Sequence, residues 1–436
     1  MAGEKMTFHF INKNNSHWKK LDNAGKVFPS ISNKRDTKVF RFACELTEEI
    51  KPDILQKALD KNLTQFPLYR CVLRAGFFWH YLRESNLKPV VRQEYEYPCS
   101  QKYDANKHTL LFEVTYYKKR INVEVYHALT DGTGALNFLR SLVRNYLIIL
   151  YPDKFPDRPN INYDASLSQR AEDSFQKYYT KPSRMKPVNN KIYQLKGIKL
   201  PEGRIRVTEG VMSVKSVIAC AKSYGVTVTV LLCSILLCAV NNEVPLKQKH
   251  RPVVVTVPVN LRNYFDSQSA RNFFCTIEVG YCFYNNSGRL EDVMESVAES
   301  FREQLTKENL TKIMNSFIKV EKNPFARIAP LPFKNFVLGI AGKINSRKHT
   351  VSLSNIGKVS MPEEFFPYIR LFDVFVSTEK TQICMCSFKD NMTISFTSAF
   401  ESTEVEKNFF RTLTSMGINV TVSTNRIYPL EKEEDI

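Results

Sequence analysis

The hydrophobic and polar positions of the chain change period several times, and each change predicts a different element. Residues 38–46, "KVFRFACEL", alternate as a strand does, whereas 51–67 show the apolar spacing of an amphipathic helix. Two further strand-like stretches follow at 69–83 and 109–127. Residues 134–150 then keep one helical face apolar. The side chains of that face are Ala135, Leu139, Leu142, Val143, Tyr146 and Leu150.

A stretch of different character, about 151–205, separates these elements from a second set. It is rich in Pro, Lys and Asp and has no long apolar run, which is typical of a linker or an extended crossover. Beyond it, the alternation of strands and helices resumes, which indicates an α/β architecture. The later predicted helices are 213–223, one starting at Thr227, 290–309 and 403–415. The later predicted strands are 251–262, 350–356, 372–377, 381–388 and 392–398.

Composition limits the class of protein. With 43% hydrophobic residues, the chain can build a large core and is not disordered. The most apolar run, 226–240, is shorter than the ~20 residues that span a bilayer, so we predict a buried helix there. No apolar leader is visible, and the ten cysteines follow no disulfide or zinc spacing. We therefore expect a cytoplasmic protein with reduced thiols and without a transmembrane segment.

The net charge of +18 favours an anionic partner. Candidates are nucleic acid, an anionic membrane surface, an acidic carrier protein or a phosphate-bearing co-substrate, and the charge can also serve solubility alone. The Lys and Arg residues are scattered and no nucleic-acid-binding motif is present, so we expect no nucleic-acid partner.

Most catalytic signatures are missing from the sequence. There is no G-x-S-x-G elbow and no H-E-x-x-H. The segment "LGIAGKIN", 338–345, lacks the first glycine and the Ser or Thr of a phosphate loop, and "GTGALN" lacks the third glycine of a dinucleotide fingerprint. The stretch that remains is "YHALTDGTGALNFL", residues 126–139.

His127 ends a strand-like segment in which it shares parity with Val123 and Val125, so the three point to one face. Burial there would keep its imidazole neutral near pH 7, and a neutral imidazole beside a substrate hydroxyl is a competent general base. The same position also suits a satisfied core histidine. Asp131, followed by Gly132, precedes the predicted helix, where a carboxylate can cap the N-terminus.

Residues 127–132, "HALTDG", resemble the HxxxDG motif of the acyltransferase superfamily. That superfamily includes chloramphenicol acetyltransferase, alcohol acetyltransferases, wax ester synthases and the condensation domains of peptide synthetases. Three more segments resemble superfamily features in the same order: the helix at 225–240, "VPVNLRNYF" at 257–265 and "LSNIGKV" at 353–359. Residues 20–29 and 76–82 are similar to bacterial proteins of the alcohol acetyltransferase type.

The resemblance covers nearly the whole chain and implies a fold. It implies an α/β protein of two chloramphenicol-acetyltransferase-like halves, 1–155 and 205–436, joined by a crossover at 156–204. The halves would form a pseudo-dimer with an active-site tunnel between them. A tyrosine, Tyr126, stands where some condensation domains have a second histidine, which favours the acetyltransferase branch.

The resemblance also implies roles for individual residues. His127 would be the catalytic base. Asp131 would be a structural aspartate paired with Arg262, and Gly132 would let substrate approach the backbone. Ser354 and Asn355 would lie on a strand facing the channel and help to hold an oxyanion.

The implied reaction moves an acetyl or short acyl group from a coenzyme A thioester to a small alcohol or amine, with no covalent intermediate, metal or permanently bound cofactor. The donor's phosphates require cations, and Lys343, Arg347 and Lys348 are the candidates. Two alternatives stay open. One is an acyltransferase or condensation enzyme that uses an acidic carrier protein, and the other is a binding module of the same fold that no longer turns over.

Overall fold

The computed structural model describes residues 18–161, 174–180, 191–269, 271–284 and 286–425, and these residues form three β-sheets with helices packed on them. The strands are β1 (Trp18–Lys20), β2 (Val39–Leu46), β3 (Cys71–Ala75), β4 (His80–Glu84), β5 (Arg92–Gln93), β6 (Phe112–Tyr117), β7 (Arg120–Tyr126), β8 (Arg206–Ser213), β9 (Val253–Asn260), β10 (Phe274–Tyr281), β11 (Val351–Lys358), β12 (Ile369–Val376), β13 (Thr381–Phe388), β14 (Asn391–Ser398) and β15 (Thr421–Thr424). The helices are α1 (Phe28–Ile31), α2 (Pro52–Gln65), α3 (Gly132–Leu150), α4 (Ser174–Lys177), α5 (Val214–Ser223), α6 (Val228–Asn242), α7 (Leu290–Gln304), α8 (Lys307–Lys322), α9 (Pro324–Ile328), α10 (Leu331–Ser346) and α11 (Glu404–Ser415). The architecture is the mixed α/β one that the sequence predicts.

The first large sheet has the strand order β12-β2-β7-β6-β5. β2 and β7 pair antiparallel, with Phe42 opposite Val123, so their apolar side chains face the same core. Helices α2 and α3 pack against each other beside this sheet, and the Asn62 amide donates to the Phe138 carbonyl at 3.1 Å, which satisfies a buried polar group between them.

The second large sheet has the order β10-β9-β11-β13-β14-β8-β15 and carries its own hydrophobic core. Helices α5 and α6 both begin with an N-cap. The Ser213 side chain accepts from the Ser216 N–H, and the Thr227 side chain accepts from the Val230 N–H. Helix α6 covers the apolar run predicted as a buried helix, and most of its side chains are buried.

Across the ranges that the structure describes, no single helix is long and apolar enough to cross a bilayer. Helices α5 and α6 meet the length and composition criteria as a pair, and they are bent by 82° relative to each other.

Strand β12 crosses from one set of elements to the other. Although it comes late in the chain, it forms an edge of the first sheet, where it pairs antiparallel with β2 and places Val374 opposite Phe42. The sequence predicted a strand at 372–377 but grouped it with the later elements. Hydrophobic periodicity identifies a strand without identifying the strand with which it pairs.

The described parts of the predicted linker are anchored to the two cores. Phe155, Phe175, Tyr193 and Leu200 are all buried, and α4 is a short helix within the segment. These described parts therefore pack on the protein's cores, and the assignment of 156–204 as a linker or crossover stays a prediction. The parts of that prediction at 162–173 and 181–190 lie outside the described residues. Helices α8, α9 and α10 were not predicted from the sequence.

Candidate active site

His127 lies one residue beyond the end of β7, between the two large sheets. Its ring stacks on Phe28 with centroids 4.5 Å apart and contacts Phe40 edge-on at 4.9 Å. Its backbone N–H donates to the Lys38 carbonyl at 2.8 Å, which fixes the main chain where the strand ends. The imidazole is thus held in an aromatic cage, and its orientation is set by packing.

Asn272 determines which ring nitrogen of His127 carries the proton. The Asn272 amide nitrogen donates to the Asp22 carboxylate at 3.0 Å and to the His127 carbonyl at 3.2 Å. Its amide oxygen therefore faces His127 Nδ1, at 3.1 Å. An amide oxygen only accepts, so Nδ1 must donate and Nε2 keeps a free lone pair. This is the tautomer that a general base needs.

The same environment keeps the imidazole neutral. Burial lowers the pKa of His127 below its usual range, and the Asp131 charge opposes this effect without cancelling it. The imidazole therefore stays unprotonated at neutral pH.

Asp131 is a structural group at the N-terminus of α3. One carboxylate oxygen caps the helix by accepting from the Gly134 N–H at 3.1 Å. The other accepts from Arg262 Nη1 at 2.7 Å and from the Phe273 N–H at 3.0 Å. The ion pair expected between Asp131 and Arg262 is thus present, and these contacts direct the carboxylate to the helix cap and the Arg262 loop.

Arg262 organises the loop that carries Asn272. It lies in the 3-10 turn Leu261–Asn263 after β9, and its guanidinium donates to the Ser269 carbonyl at 2.8 and 3.0 Å and to the Arg271 carbonyl at 2.5 Å. Because the same guanidinium pairs with Asp131, the start of α3 and the loop before β10 are held together. The ion pair therefore positions Asn272, and Asn272 orients His127.

A cavity of about 140 Å³ opens beside His127 and Gly132. Elements of both large sheets line it, and the apolar part of the lining includes Phe40, Phe42, Phe274, Ile356, Val374 and Val376. A Cβ added to Gly132 would lie 3.3 Å from the Ile356 side chain, so a larger residue would narrow this space.

Ser354 and Asn355 line the same cavity from β11. The Asn355 side chain donates to Thr229 at 2.9 Å and accepts from the Gly357 N–H at 2.8 Å, across a bulge in β11. One amide hydrogen of Asn355 remains for an oxyanion after the Thr229 bond.

The cysteines near the cavity are packing residues. Cys384 lines it, but burial raises the pKa of its thiol to about 12, and burial also raises that of Cys386. A thiol that stays protonated at neutral pH is a poor nucleophile. Among the described residues, no group of three or more His, Cys, Asp or Glu side chains could hold a metal ion.

The predicted phosphate-binding residues lie outside the cavity. Lys343 sits in the last turn of α10, and Arg347 and Lys348 follow it, all three exposed. None of them lines the cavity beside His127. Most of the segment before β11 is helical.

Two residues of the site were missed by sequence reasoning: Asp22 and Asn272. Asp22 belongs to the stretch 20–29, which was noted for its resemblance to alcohol acetyltransferases without a role being given to the aspartate. Nothing around Asn272 signals its function, because the contact depends on a loop that is 145 residues from His127 in the chain.

The chain shares its fold with proteins of solved structure. The chain has the fold of the chloramphenicol-acetyltransferase-like and condensation-domain superfamily. A scan against models of known protein families finds no match, and a search of curated protein sequences returns no relative.

The similarity is to solved structures. TRI101 of F. sporotrichioides, complexed with coenzyme A and T-2, has a TM-score of 0.63 at 10% identity. The alignment covers 93% of this chain and 100% of TRI101. TRI3 trichothecene 15-O-acetyltransferase from Fusarium sporotrichioides gives 0.54 at 12% identity, covering 92% and 94%. The first condensation domain of the calcium-dependent antibiotic synthetase gives 0.58 at 12% identity, covering 92% and 96%.

Proposed function

We propose that the protein is an acyltransferase that moves an acyl group from a coenzyme A thioester to an alcohol or amine, with His127 as general base. The observation that carries the proposal is the hydrogen-bond series from Asp22 through Asn272 to His127 Nδ1, which leaves Nε2 unprotonated on a residue that lines the cavity. The complex of TRI101 with coenzyme A supports the choice of donor.

The chemistry follows from this geometry. His127 Nε2 takes the proton of the acceptor hydroxyl or amine as the acceptor attacks the thioester carbonyl carbon. The tetrahedral oxyanion collapses, the C–S bond breaks, and the imidazolium returns its proton to the leaving thiolate. General-base assistance of this kind is worth roughly 10²–10⁴-fold. No acyl-enzyme is formed.

The residues around His127 have separate roles in this proposal. Ser354 and Asn355 supply polar groups for the oxyanion, and Gly132 leaves room for the acceptor. Asp131 and Arg262 hold the loop that orients Asn272. The aromatic and aliphatic lining fits an acceptor with an apolar body. Lys343, Arg347 and Lys348 are candidates for the donor's phosphates at an outer mouth.

The wider organisation is also part of the proposal. The chain would consist of halves 1–155 and 205–436 around a tunnel, with the donor entering from one side and the acceptor from the other. All ten cysteines are free thiols, which suits a reducing compartment such as the cytoplasm.

A thiol-release assay tests the proposal. Several acyl-CoAs are offered with a panel of alcohols and amines, to the wild type and to His127→Ala. We expect acceptor-dependent thiol release that the variant loses, with no acyl adduct by intact mass when acyl-CoA is given alone. Bound coenzyme A without turnover on any pair would indicate a binding module, and a stoichiometric adduct consumed by acceptor would contradict direct transfer.

A second candidate is an enzyme that takes its acyl group from an acidic carrier protein. The similarity to a condensation domain and the net charge of +18 favour it. This candidate predicts that the enzyme releases the thiol of an acylated carrier protein when acceptor is present, and that it does not act on free acyl-CoA.

A further inference from the structure

Helix α10 presents apolar side chains to solvent along one face. The exposed fractions are 62% for Phe333, 67% for Phe336, 45% for Val337, 45% for Ile340 and 60% for Ile344. Their spacing is that of a single helical stripe. Two neighbouring side chains extend the surface: Phe77 at 74% and Ile328 at 68%. We call this set the α10 face. Contiguous exposed apolar surface of this kind marks a site of association.

The inner side of α10 is anchored by polar groups and glycines, the reverse of an ordinary surface helix. The buried Lys334 ammonium donates to the Phe78 carbonyl at 2.9 Å and lies 3.9 Å from the Trp79 ring centroid. Gly339 and Gly342 allow close approach of α1, where an added Cβ would lie 3.3 Å from the Ser30 carbonyl and 2.6 Å from Ile31. These contacts fix which side of the helix faces solvent, so rotation cannot bury the apolar stripe.

Charge identifies what the α10 face would meet. Residues 322–362 contain no Asp or Glu, and they include seven cations: Lys322, Arg327, Lys334, Lys343, Arg347, Lys348 and Lys358. Of these, Arg327 and Lys343 are exposed beside the stripe. Exposed aromatic and aliphatic side chains bordered by cations match the polar and apolar layers of an anionic membrane surface. The sequence preceding Trp18 has Lys5 and Lys13 against a single Glu4, so charge does not favour that segment as the occupant.

We propose that the α10 face docks the protein on an anionic lipid membrane. The inference needs no catalysis, and it shares one residue, Lys343, with the candidates for the donor's phosphates. It also has a geometric link to the site, because α10 packs on α1 through the bond from Ser30 Oγ to Asn335 at 2.8 Å, and Phe28 of α1 stacks on His127.

Vesicle flotation tests the proposal with the full chain. The probes are phosphatidylcholine vesicles with and without phosphatidylserine. We expect binding to the phosphatidylserine vesicles that weakens as salt rises. The triple variant Phe333→Ser, Phe336→Ser, Ile340→Ser should lower the partition coefficient roughly a hundredfold, because three apolar anchors are lost. The double charge-reversal variant Arg327→Glu, Lys343→Glu should lower the partition coefficient by at least roughly tenfold.

A matched control removes exposed apolar side chains elsewhere: Val90→Ser, Ile198→Ser and Leu246→Ser, whose exposed fractions are 52%, 72% and 87%. This variant should bind as the wild type does. Circular dichroism and the thermal midpoint show whether each triple variant is folded, and a folded α10 variant is required for the comparison.

Three results would overturn the proposal. The first is equal binding of wild type and the folded α10 variant. The second is absence of vesicle binding together with self-association that the α10 variant abolishes, which would assign the face to a second copy of the chain. The third is binding only after removal of residues 1–17, which would make that segment the cover of the α10 face.

Discussion

Strand β7 has two very different ends. At its last residue the chain passes to His127, where Asp131 and Arg262 form one ion pair with matched charges. At its first residue, Arg120 pairs with Glu45 at 2.9 Å and Glu209 at 2.7 Å, and lies 3.7 Å from Asp373. Both ends join the first sheet to later parts of the chain.

The two ends differ in charge balance, and this decides how each responds to pH. Three carboxylates surround Arg120, and the only other cation paired with any of them by the described contacts is Arg370, which binds Glu45. The carboxylates there therefore outnumber the cations. Burial, with the nearby Asp373 charge, raises the pKa of Glu209 to about 8. Near His127, the single charge of the Asp131 carboxylate is balanced by the single charge of Arg262. We infer that the His127 end keeps a fixed geometry across neutral pH, whereas the Arg120 end gains or loses a proton.

The largest effect that we expect comes from removing the base. His127→Ala should lower kcat by roughly 10²–10⁴-fold, because proton removal then falls to water. Phe40 and Phe28 still pack around the gap, so the thermal midpoint should stay near that of the wild type. Steady-state kinetics and thermal unfolding check this. Turnover within a few-fold of wild type would remove His127 from the mechanism.

The next largest effect should come from breaking the ion pair between Asp131 and Arg262. Asp131→Asn leaves the Arg262 guanidinium buried without its counter-charge, which should lower the free energy of unfolding by about 3 kcal/mol. Activity should fall with it, since the loop that holds Asn272 loses its anchor. Urea unfolding measures the first effect. Asp53→Asn, at an exposed site in the first turn of α2, is the control and should change stability by less than ~0.5 kcal/mol.

We expect the Arg120 end of β7 to make the stability of the protein depend on pH. The folded pKa of Glu209, about 8, exceeds the ordinary glutamate value of 4.5, so the folded state binds the proton more tightly. The free energy of unfolding should therefore be greatest below pH 4.5 and fall as the pH rises toward 8, by up to about 5 kcal/mol. Glu209→Gln should flatten that slope without changing turnover. An unchanged slope would contradict the contrast between the two ends.

The smallest effect concerns orientation of the base. Asn272→Ala should lower kcat about tenfold with little change in KM, because the tautomer of His127 is no longer fixed. Asn272→Asp instead places a carboxyl group beside Nδ1 and against the Asp22 carboxylate, so the two should share a proton and move the acidic limb of the pH–rate profile to higher pH only where both are ionised. In the wild type that limb should lie below the ordinary histidine pKa, since burial lowers the pKa of His127. If both variants keep the wild-type profile, Asn272 does not orient His127.

The sequence predicts the local elements well and the long-range contacts poorly. The end of β7, the cap at Asp131 and the buried helix α6 all follow from periodicity within about a dozen residues. Asp22, Asn272 and the partner of β12 depend on contacts between distant segments, which no local pattern contains. The Arg262 pairing came from the family resemblance, and composition or spacing alone would not have suggested it.

Helix α10 was missed for a different physical reason. Its apolar stripe faces solvent and its inner side carries Lys334 and glycines, so the usual rule that apolar residues face the core does not apply to it. A segment that breaks the folding pattern in this way is where a surface function is expected.

The position of β12 has a consequence for synthesis of the chain on the ribosome. The Val39 N–H bonds to the side chain of Ser377, 338 residues later, so one edge of the first sheet stays open until almost the whole polypeptide has emerged. Contacts this distant slow folding, and an open strand edge invites pairing with other chains. A truncated product ending near residue 155 would carry β2 paired with β7 but without β12, and we expect it to aggregate through that open edge when expressed alone. Co-expression with the rest of the chain as a separate polypeptide should restore solubility.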